Sequence, residues 1–398
     1  MIVLRRSVMK EFECVSTVQG NEKWENAIKR EVPLYQRTND IRSPFERDYT
    51  RIIHSTAYRR LKHKTQVFFS PENDHICTRS EHVTHVESIS YTIAHYLGLN
   101  TELTRAIATA HDIGHSPFGH QGERILSKIS ERDVGERFWH ERNGMVMVDK
   151  IELLENPDGD RFNLDLSYGV RDGIISHCGE IDENMLRPRD EFIDLYDYSF
   201  PNEFAPYTWE GCVVKISDKI SYLGRDIIDA VTLGILDERL EDLHGLLNVE
   251  GKINNTVIIN DFIYDLCANS SVEKGLCFSD KMFDRLNEIK RFNYEYIYLS
   301  DKLKVSMSYF ELILNTIYDF LKSLHSDRDR AMRICSELVL DFEDWISNYW
   351  CAERGSENKN AVIFDTEDPK DWCRAIICYI SGMTDNYAIE TFNRIIRF

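Results

Sequence analysis

The sequence reads His111-Asp112-Ile113-Gly114-His115-Ser116-Pro117-Phe118-Gly119-His120, and Glu123 follows shortly after. Imidazole and carboxylate groups bind divalent metal ions and transfer protons, so this short run concentrates groups with that chemistry. Gly114 and Pro117 predict that a helix ends at the His-Asp pair and that the backbone then turns. The alternative is a partly buried polar turn, but so many titratable groups are costly to bury without a function. The run therefore predicts a metal-binding or catalytic loop.

A second candidate ligand lies upstream, in Arg79-Ser80-Glu81-His82. Taken alone, His82 is more often explained as a core histidine with a satisfied hydrogen bond. His85 lies on the same side of the predicted helix and competes as a ligand, but the spacing from Arg79 favours His82. The residues that form one helix face, at three- and four-residue spacing, are His82, Val86, Ile89, Ile93 and Leu97.

A third candidate ligand lies further downstream. Val214, Asp218, Tyr222 and Asp226 are each four positions apart, so one row of a predicted helix carries carboxylates among apolar neighbours. A carboxylate on an apolar helix face requires a cation nearby. That cation is either a metal ion or Lys219, although Lys219 is adjacent in sequence and points away from the row.

The order of His82, His111-Asp112 and Asp218 resembles the metal-ligand set of the HD-domain phosphohydrolases. The surrounding sequence resembles the deoxynucleoside triphosphate triphosphohydrolases, the dGTPase branch of that superfamily, from about position 42 to 395. The most specific part is the run from Gly114 to Glu123 together with Gly-Met-Thr-Asp near the C-terminus. The blocks that carry the resemblance are 51–55 with 58–61 and 64–68, 79–82, 111–123, 171–174 with His177, and 379–388.

The resemblance implies an all-α HD-domain fold with a helical C-terminal elaboration. It also implies a divalent metal ion, Mg²⁺ or Mn²⁺, with another transition metal left open. The implied metal ligands are His82, His111, Asp112 and Asp218; the implied catalytic residues are His115, His120, Glu123 and His140. Which histidine acts as the acid stays open.

The resemblance also implies a substrate site. Arg79 would meet the phosphates, as a planar guanidinium suits paired hydrogen bonds. Gln66 matches the position at which members of the family contact the deoxyribose. Tyr298 lies near the position of the aromatic residue that packs closely against C2′ of the sugar in the family. The positions that grip phosphates and the 3′-hydroxyl are Lys219, Tyr222 and Asp226.

The implied reaction cleaves the bond between the 5′-oxygen and the α-phosphorus, releasing deoxynucleoside and tripolyphosphate. A second hypothesis is another HD phosphohydrolase, such as a nuclease or nucleotide phosphodiesterase, which should lack Gln66, Tyr222 and Asp226 in sugar-reading positions. A third is a catalytically silent nucleotide sensor, which should have lost a metal ligand or His120. Members of the family form homo-oligomers, hexamers among them, and some respond to a nucleotide activator. For this chain the resemblance implies a homo-oligomer and leaves an activator open.

The composition fits an enzyme of the cytoplasm. The net charge of −19 argues against a protein that coats nucleic acid without sequence specificity. The ten cysteines include no Cys-x-x-Cys pair, which argues against structural zinc and a disulfide scaffold. The start Met1 to Arg6 is charged too early for a signal sequence, and no apolar run approaches the ~20 residues of a membrane span. A basic cluster is either a solvated face or a substrate, effector or single-strand contact: Arg51, Arg59, Arg60, Lys62, His63 and Lys64.

The chain divides into a predicted N-terminal arm (1–41), an HD core (42–245) and a helical C-terminal region (246–398) that completes the pocket and supplies oligomer contacts. A loop is predicted over 353–371, and Val67 to Phe69 near Pro71 predicts the start of a small hairpin. Helical patterns after Gly251 predict helices over 257–267, 281–298, 305–323, 332–349 and 372–382.

Overall fold

The computed structural model describes residues 10–32, 40–69, 73–179, 183–247, 253–351 and 354–397. Over these residues the protein is mainly helical, with one two-stranded antiparallel sheet, which confirms the predicted all-α class. The first α-helices in chain order are α1 (Trp24–Ala27), α2 (Pro44–His54), α3 (Thr56–Arg60), α4 (Arg79–Leu97), α5 (Thr101–Ala110), α6 (Gly119–Asp133), α7 (His140–Val146), α8 (Tyr168–Ser176) and α9 (Trp209–Thr232).

Helix α4 begins and faces inward as its sequence predicts. The Thr78 hydroxyl accepts the Glu81 N–H and the Glu81 carboxylate accepts the Thr78 N–H, which forms a capping box. His82 and the apolar residues predicted to share its face are all buried. Helix α4 packs against α5 and α9, so His82 faces the end of α5 and the middle of α9.

The loop between α5 and α6 turns at the predicted point. Helix α5 ends at Ala110 and α6 begins at Gly119. Phe118 has a φ of +63°, which is unfavourable for a residue with a side chain. Gly119 has a φ of +58°, and a Cβ there would lie 3.0 Å from the Gln66 carbonyl oxygen. The loop is therefore both strained and closely packed where it leads into the helix that carries His120.

The C-terminal helices were placed well by periodicity. They are α10 (Leu240–Leu247), α11 (Asn255–Asn269), α12 (Asp280–Phe292), α13 (Asp301–Leu324), α14 (Arg328–Trp350), α15 (Pro369–Ser381) and α16 (Asp385–Ile396). The loop predicted to reach position 371 ends earlier, because Asp368 caps α15 and Pro369 occupies its first turn. The start of that loop, Glu353, lies outside the described residues, as do Pro71 and Gly251.

Two features of the sequence prediction were wrong in detail. The region 281–298 is not one α-helix: α12 continues into a π-helical turn at Asn293–Tyr298. The buried Asn293 side chain donates a hydrogen bond to the Leu223 carbonyl of α9 at 3.0 Å, which fixes this turn against the core. Residues Val67 to Phe69 are in no strand; instead an isolated antiparallel bridge joins Thr65 and Thr78.

The sheet lies elsewhere. Strands β1 (Leu153–Glu155) and β2 (Arg161–Asn163) form an antiparallel pair after a π-helical turn at Met147–Ile151. Single 3₁₀ turns complete the described secondary structure at Glu13–Val15, Leu61–His63, Leu195–Asp197 and Asp237–Arg239.

Three apolar clusters hold these elements together. One joins α2, α5 and α8, a second joins α4, α9 and α10 to α12, and a third joins α6 to α13 through α16. The division of the chain at positions 41 and 245 stays a prediction; the first nine residues of the predicted arm, Met1 to Arg6 among them, lie outside the described part. In the described ranges, none of the helices combines the length and apolar character needed to cross a bilayer.

Candidate active site

The four predicted metal ligands converge at the junction of α4, α5 and α9. The His82 Nε2 atom lies 2.9 Å from Asp218 Oδ1 and 3.7 Å from Asp112 Oδ2. The His111 Nε2 atom lies 3.5 Å from Asp112 Oδ1 and 3.9 Å from Asp218 Oδ1. Ligand atoms held at roughly 2.0–2.2 Å from one ion lie about 3–4 Å apart, so this spacing fits a shared divalent cation.

The hydrogen-bonding state of His111 also fits metal binding. Its Nδ1–H donates to the Ala108 carbonyl at 2.7 Å, which leaves the Nε2 lone pair directed at the two carboxylates. That Nε2 atom is buried and has no hydrogen-bond partner among the described residues. A backbone carbonyl that fixes the tautomer of a ligating histidine is the usual supporting contact in metal sites.

Arg79 contacts the metal cluster directly. Its Nη1 donates to Asp112 Oδ2 at 2.7 Å, and its Nη2 donates to the Gln66 carbonyl at 3.0 Å. The guanidinium is almost completely buried, yet it lines the same cavity as the cluster. Arg79 therefore offsets carboxylate charge and holds the Gln66 segment, in addition to the phosphate contact predicted for it.

His85, the competing ligand, lies elsewhere. It lines a separate groove between α4 and α11 together with Asn255 and Tyr264. Its Nδ1 atom is buried without a hydrogen-bond partner in the described part of the chain. The structure places His82, and not His85, beside the two aspartates.

Three of the predicted catalytic residues form a hydrogen-bonded group beside the metal cluster. Glu123 Oε2 accepts from His140 Nδ1 at 3.0 Å and lies 3.4 Å from His120 Nδ1. Burial opposes ionisation, but the two histidines hold the pKa of Glu123 well below its ordinary value. The side chain of His120 is 59% exposed, whereas that of His140 is buried. His120 is thus the member of the group that is open to a substrate.

His115 lies between the two groups. Its Nδ1 is 3.1 Å from Asp112 Oδ1, and its ring lies 3.8 Å from the His140 ring, centroid to centroid. Burial and the positive charge of Arg79 lower the pKa of His115 well below its ordinary value. A neutral imidazole in this position can accept a hydrogen bond from water or substrate.

The predicted sugar-reading residues line the same cavity. The Tyr298 hydroxyl donates to Asp226 Oδ2 at 2.5 Å, and the π-helical turn brings Tyr298 to that position. Burial raises the pKa of Asp226 to about 7, although the Tyr298 hydrogen bond acts in the opposite direction. Gln66, Lys219 and Tyr222 line the wall between this pair and the metal cluster.

The cavity measures about 370 Å³, within the range of small-molecule sites. Twelve of the fourteen predicted site residues line it, and the other two, His111 and Glu123, contact residues that do. The lining residues without a role predicted from the sequence include His177, Cys178, Arg124, Gln121, Tyr294 and Met307.

His177 could have been found from the sequence. It follows the apolar helix α8 at its C-terminal end, as His111 follows α5. Its Nδ1–H donates to the Ile174 carbonyl at 2.7 Å, in the same way that His111 bonds Ala108. Its Nε2 atom lies 3.8 Å from Asp112 Oδ1. The available signal was a single histidine directly after the C-terminal end of a helix, which occurs at both α5 and α8.

The C-terminal Gly-Met-Thr-Asp block holds the catalytic loop in place. Asp385 Oδ1 accepts the Phe118 N–H at 2.8 Å, and Oδ2 accepts the Thr65 N–H at 2.8 Å. Lys64 donates to the carbonyls of His115 and Ser381 from a fully buried position. The block thus fixes the loop that carries His115 and His120 to the segment that carries Gln66.

The fold and this cluster define the class of protein. An HD domain family model matches residues 79–223, which include all four predicted metal ligands. The protein is an HD-domain phosphohydrolase, a class of hydrolases that use a divalent metal ion, and its histidines and aspartates form clusters that can hold one.

Comparison with curated proteins makes the family more specific. A deoxyguanosinetriphosphate triphosphohydrolase-like protein of Caldanaerobacter subterraneus subsp. tengcongensis is 34% identical over 358 residues, covering 89% of this chain and 86% of the relative. Proteins with the same description from Desulfatibacillum aliphaticivorans and Clostridium tetani are 32% and 30% identical over 359 and 397 residues. These alignments cover 89% and 98% of this chain, and 88% and 95% of the relatives. The chain belongs to the HD-domain deoxyguanosinetriphosphate triphosphohydrolase-like (dGTPase-like) family.

Proposed function

We propose that this protein hydrolyses deoxynucleoside triphosphates, dGTP among them, to deoxynucleoside and tripolyphosphate. The observation that carries the proposal is the continuity of one cavity from the His-Asp cluster to the Asp226–Tyr298 pair. A nucleotide whose α-phosphate lies at the cluster would place its sugar toward that pair. The names of the relatives support the same substrate class.

The metal site would consist of His82, His111, Asp112 and Asp218. A divalent ion bound there supplies Lewis-acid polarisation of the phosphoryl group and a more acidic water. Arg79 and Lys219 add positive charge at the same cavity wall, which offsets phosphate charge in a protein of net charge −19. Mg²⁺ and Mn²⁺ are the ions we propose.

His120 is the group we assign to protonate the departing 5′-oxygen. It is the exposed member of the histidine group, and its Nδ1 lies 3.4 Å from Glu123 Oε2. With Nδ1 engaged by Glu123, the Nε2–H of His120 is free to donate to the leaving group. His140 shares Glu123 from the buried side, so it supports the orientation of that carboxylate. His115, neutral and beside Asp112, is suited to orient the attacking water.

The first test is product analysis by anion-exchange chromatography. Purified protein receives each of the four dNTPs and GTP, singly and mixed, with Mg²⁺ or Mn²⁺. Tripolyphosphate with deoxynucleoside is the expected product pair. Monophosphate with pyrophosphate, or diphosphate with phosphate, would refute cleavage at the 5′-oxygen and favour another HD phosphohydrolase. No turnover under any condition would favour a nucleotide sensor.

The same experiment addresses the partners. Activity seen only in the mixture would indicate a nucleotide activator site. We also propose a homo-oligomer, to be checked by light scattering coupled to size-exclusion chromatography; a monomer at assay concentration would contradict it.

The role of His120 has its own variant. His120→Ala should lower kcat by about 10²–10⁴-fold while metal content and KM stay near wild type, the usual scale for a general acid. His54→Ala is the matched control, because His54 is exposed at the end of α2 and lies outside the cavity. A kcat unchanged in His120→Ala would remove His120 from the chemistry.

A further inference from the structure

A second group of metal-binding side chains lies next to the HD cluster. The His140 and His177 ring nitrogens and Cys178 Sγ lie within 4.8 Å of one another. All three residues line the cavity, so a small ion that enters it reaches them. No role for this set follows from the proposed reaction, which uses His140 only through Glu123.

Each ligand atom is oriented toward the centre of the group. His177 donates its Nδ1–H to Ile174, so its Nε2 lone pair is the available one. His140 contacts Glu123 through Nδ1, so its Nε2 faces Cys178 Sγ at 3.2 Å. Lys215 anchors the Cys178 segment by hydrogen bonds from its buried Nζ to the carbonyls of Ser176 and Cys178. The group is thus held by contacts outside itself.

The charge around the group favours a cation. Glu141 is buried, and its Oε2 atom lies 3.3 Å from His140 Nδ1 without a hydrogen-bond partner in the described residues. Glu123 adds a second carboxylate on the same side of His140. When the thiol ionises, its charge and those of the two carboxylates exceed the single positive charge of the nearby Lys215 ammonium, so the group is net negative.

We propose that His140, His177 and Cys178 form a second metal position that binds Zn²⁺ or a similar thiophilic ion. Two imidazoles and a thiolate are typical zinc ligands, whereas Mg²⁺ prefers oxygen ligands. Zn–S and Zn–N bonds of about 2.3 and 2.0–2.1 Å require ligand atoms roughly 3.5 Å apart. His140 Nε2 and Cys178 Sγ lie 3.2 Å apart, and the other two pairs lie within 4.8 Å. On binding, the proton of the Cys178 thiol and any proton on His140 Nε2 are released to solvent as the S–Zn and N–Zn bonds form.

Occupation of this position has a consequence for catalysis. An ion coordinated by His140 Nε2 would hold that ring beside Cys178 and place positive charge next to Glu123 and His115. The proton-transfer group would then be perturbed while the four proposed HD ligands, His82, His111, Asp112 and Asp218, stay free for their own ion. Zn²⁺ is therefore expected to inhibit turnover; this consequence, unlike the binding itself, rests on the proposed function.

The binding is tested by spectroscopy on the full-length protein. Protein preloaded with Mg²⁺ is titrated with Co²⁺, which reports a thiolate ligand through charge-transfer absorption in the near ultraviolet. One equivalent of Co²⁺ with this band is expected for wild type, loss of the band for Cys178→Ser and Cys178→Ala, and retention for the control Cys267→Ser. Co²⁺ at the HD cluster produces no such band, because its ligands are nitrogen and oxygen.

Two results would overturn the proposal: no thiolate band in wild type, or a band that persists in both Cys178 variants. Far-ultraviolet circular dichroism checks that the variants fold. In an activity assay, Cys178→Ser should raise the half-inhibitory Zn²⁺ concentration at least about tenfold, on the scale of perturbed metal sites. Equal inhibition of wild type and Cys178→Ser would refute the inhibitory role. Absence of turnover would count against the proposed function and leave the Co²⁺ result to decide the binding.

Discussion

Asp385→Asn is the substitution that tests how the catalytic loop is held. Asp385 is buried in the first turn of α16 and accepts two backbone N–H groups, from Phe118 and from Thr65, each at 2.8 Å. An asparagine has one carbonyl oxygen and one NH₂ group in place of the two carboxylate oxygens. One of the two backbone donors must then face another donor, and its hydrogen bond is lost.

The expected cost follows from these contacts. A hydrogen bond to a charged acceptor contributes about 1.5–3 kcal/mol, and a buried N–H left without a partner costs a similar amount. The positive φ of Phe118 costs about 1–3 kcal/mol by itself. The free energy of one Asp385 hydrogen bond and the backbone strain at Phe118 are therefore of comparable magnitude. Loss of one of the two hydrogen bonds, which together we call the Asp385 clamp, is enough to let the Phe118 backbone relax. His120 and Glu123 lie on the helix that begins at Gly119 and would move with it.

Two measurements check this. Relaxation of the Phe118 backbone returns part of the lost hydrogen-bond energy, so urea unfolding should show a loss of at most about 1.5–3 kcal/mol in the free energy of unfolding. Turnover should fall by about 10²-fold, because a 1 Å displacement of a catalytic group has that scale of effect. Asp341→Asn is the control: Asp341 contacts Arg394 at the surface, so a change within ±0.5 kcal/mol is expected. Wild-type stability and kcat in Asp385→Asn would refute the clamp.

Three further predictions concern the cavity. Asp112→Ala should remove bound metal and metal-dependent turnover together, measured by elemental analysis and by rate; full metal content in the variant would contradict the assigned ligand set. Arg124, an exposed cation lining the cavity, should contact the phosphates. Because Arg124→Ala removes one charged contact to the substrate, it is expected to raise KM by about tenfold with little change in kcat. Asp226→Asn should change the pH dependence of stability, since Asp226 has a pKa of about 7 in the folded protein against an ordinary 3.8. The contribution of the wild-type carboxyl to stability is full below pH 4 and is lost as pH rises through 7, by up to about 4 kcal/mol. Urea unfolding at pH 4, 6 and 8 should therefore show that the free energy of unfolding varies less with pH in Asp226→Asn than in wild type. Parallel pH profiles for the two proteins would refute the raised pKa of Asp226.

Local sequence patterns were sufficient to place the metal cluster. The face of α4 that carries His82 and the row of α9 that carries Asp218 follow from helical periodicity, and Gly114 with Pro117 marks the turn after His111-Asp112. Both patterns act over a few residues, so the sequence shows them directly.

Other parts of the site depend on contacts that leave no periodic trace. The π-helical turn that positions Tyr298 results from the Asn293 side chain bonding a carbonyl of α9, which helical periodicity alone cannot distinguish from a regular helix. The contact of His140 with Cys178 joins the start of α7 to the segment that follows α8, and the sequence does not specify that packing. The clamp from Asp385 to Phe118 connects positions 267 residues apart.

These differences separate what the HD residues determine from what the rest of the chain determines. The four proposed metal ligands come from α4, from α9 and from the turn after α5, helices that pack on one another, so we expect metal binding to depend on the core of the HD domain. The direction of His120 depends on Phe118, and Phe118 depends on Asp385 near the C-terminus. The sugar end of the cavity depends on Tyr298, which also lies beyond the HD match at 79–223. In the proposed function the acid and the sugar contacts are set by the C-terminal helices, so the same His-Asp cluster can serve different phosphohydrolase reactions.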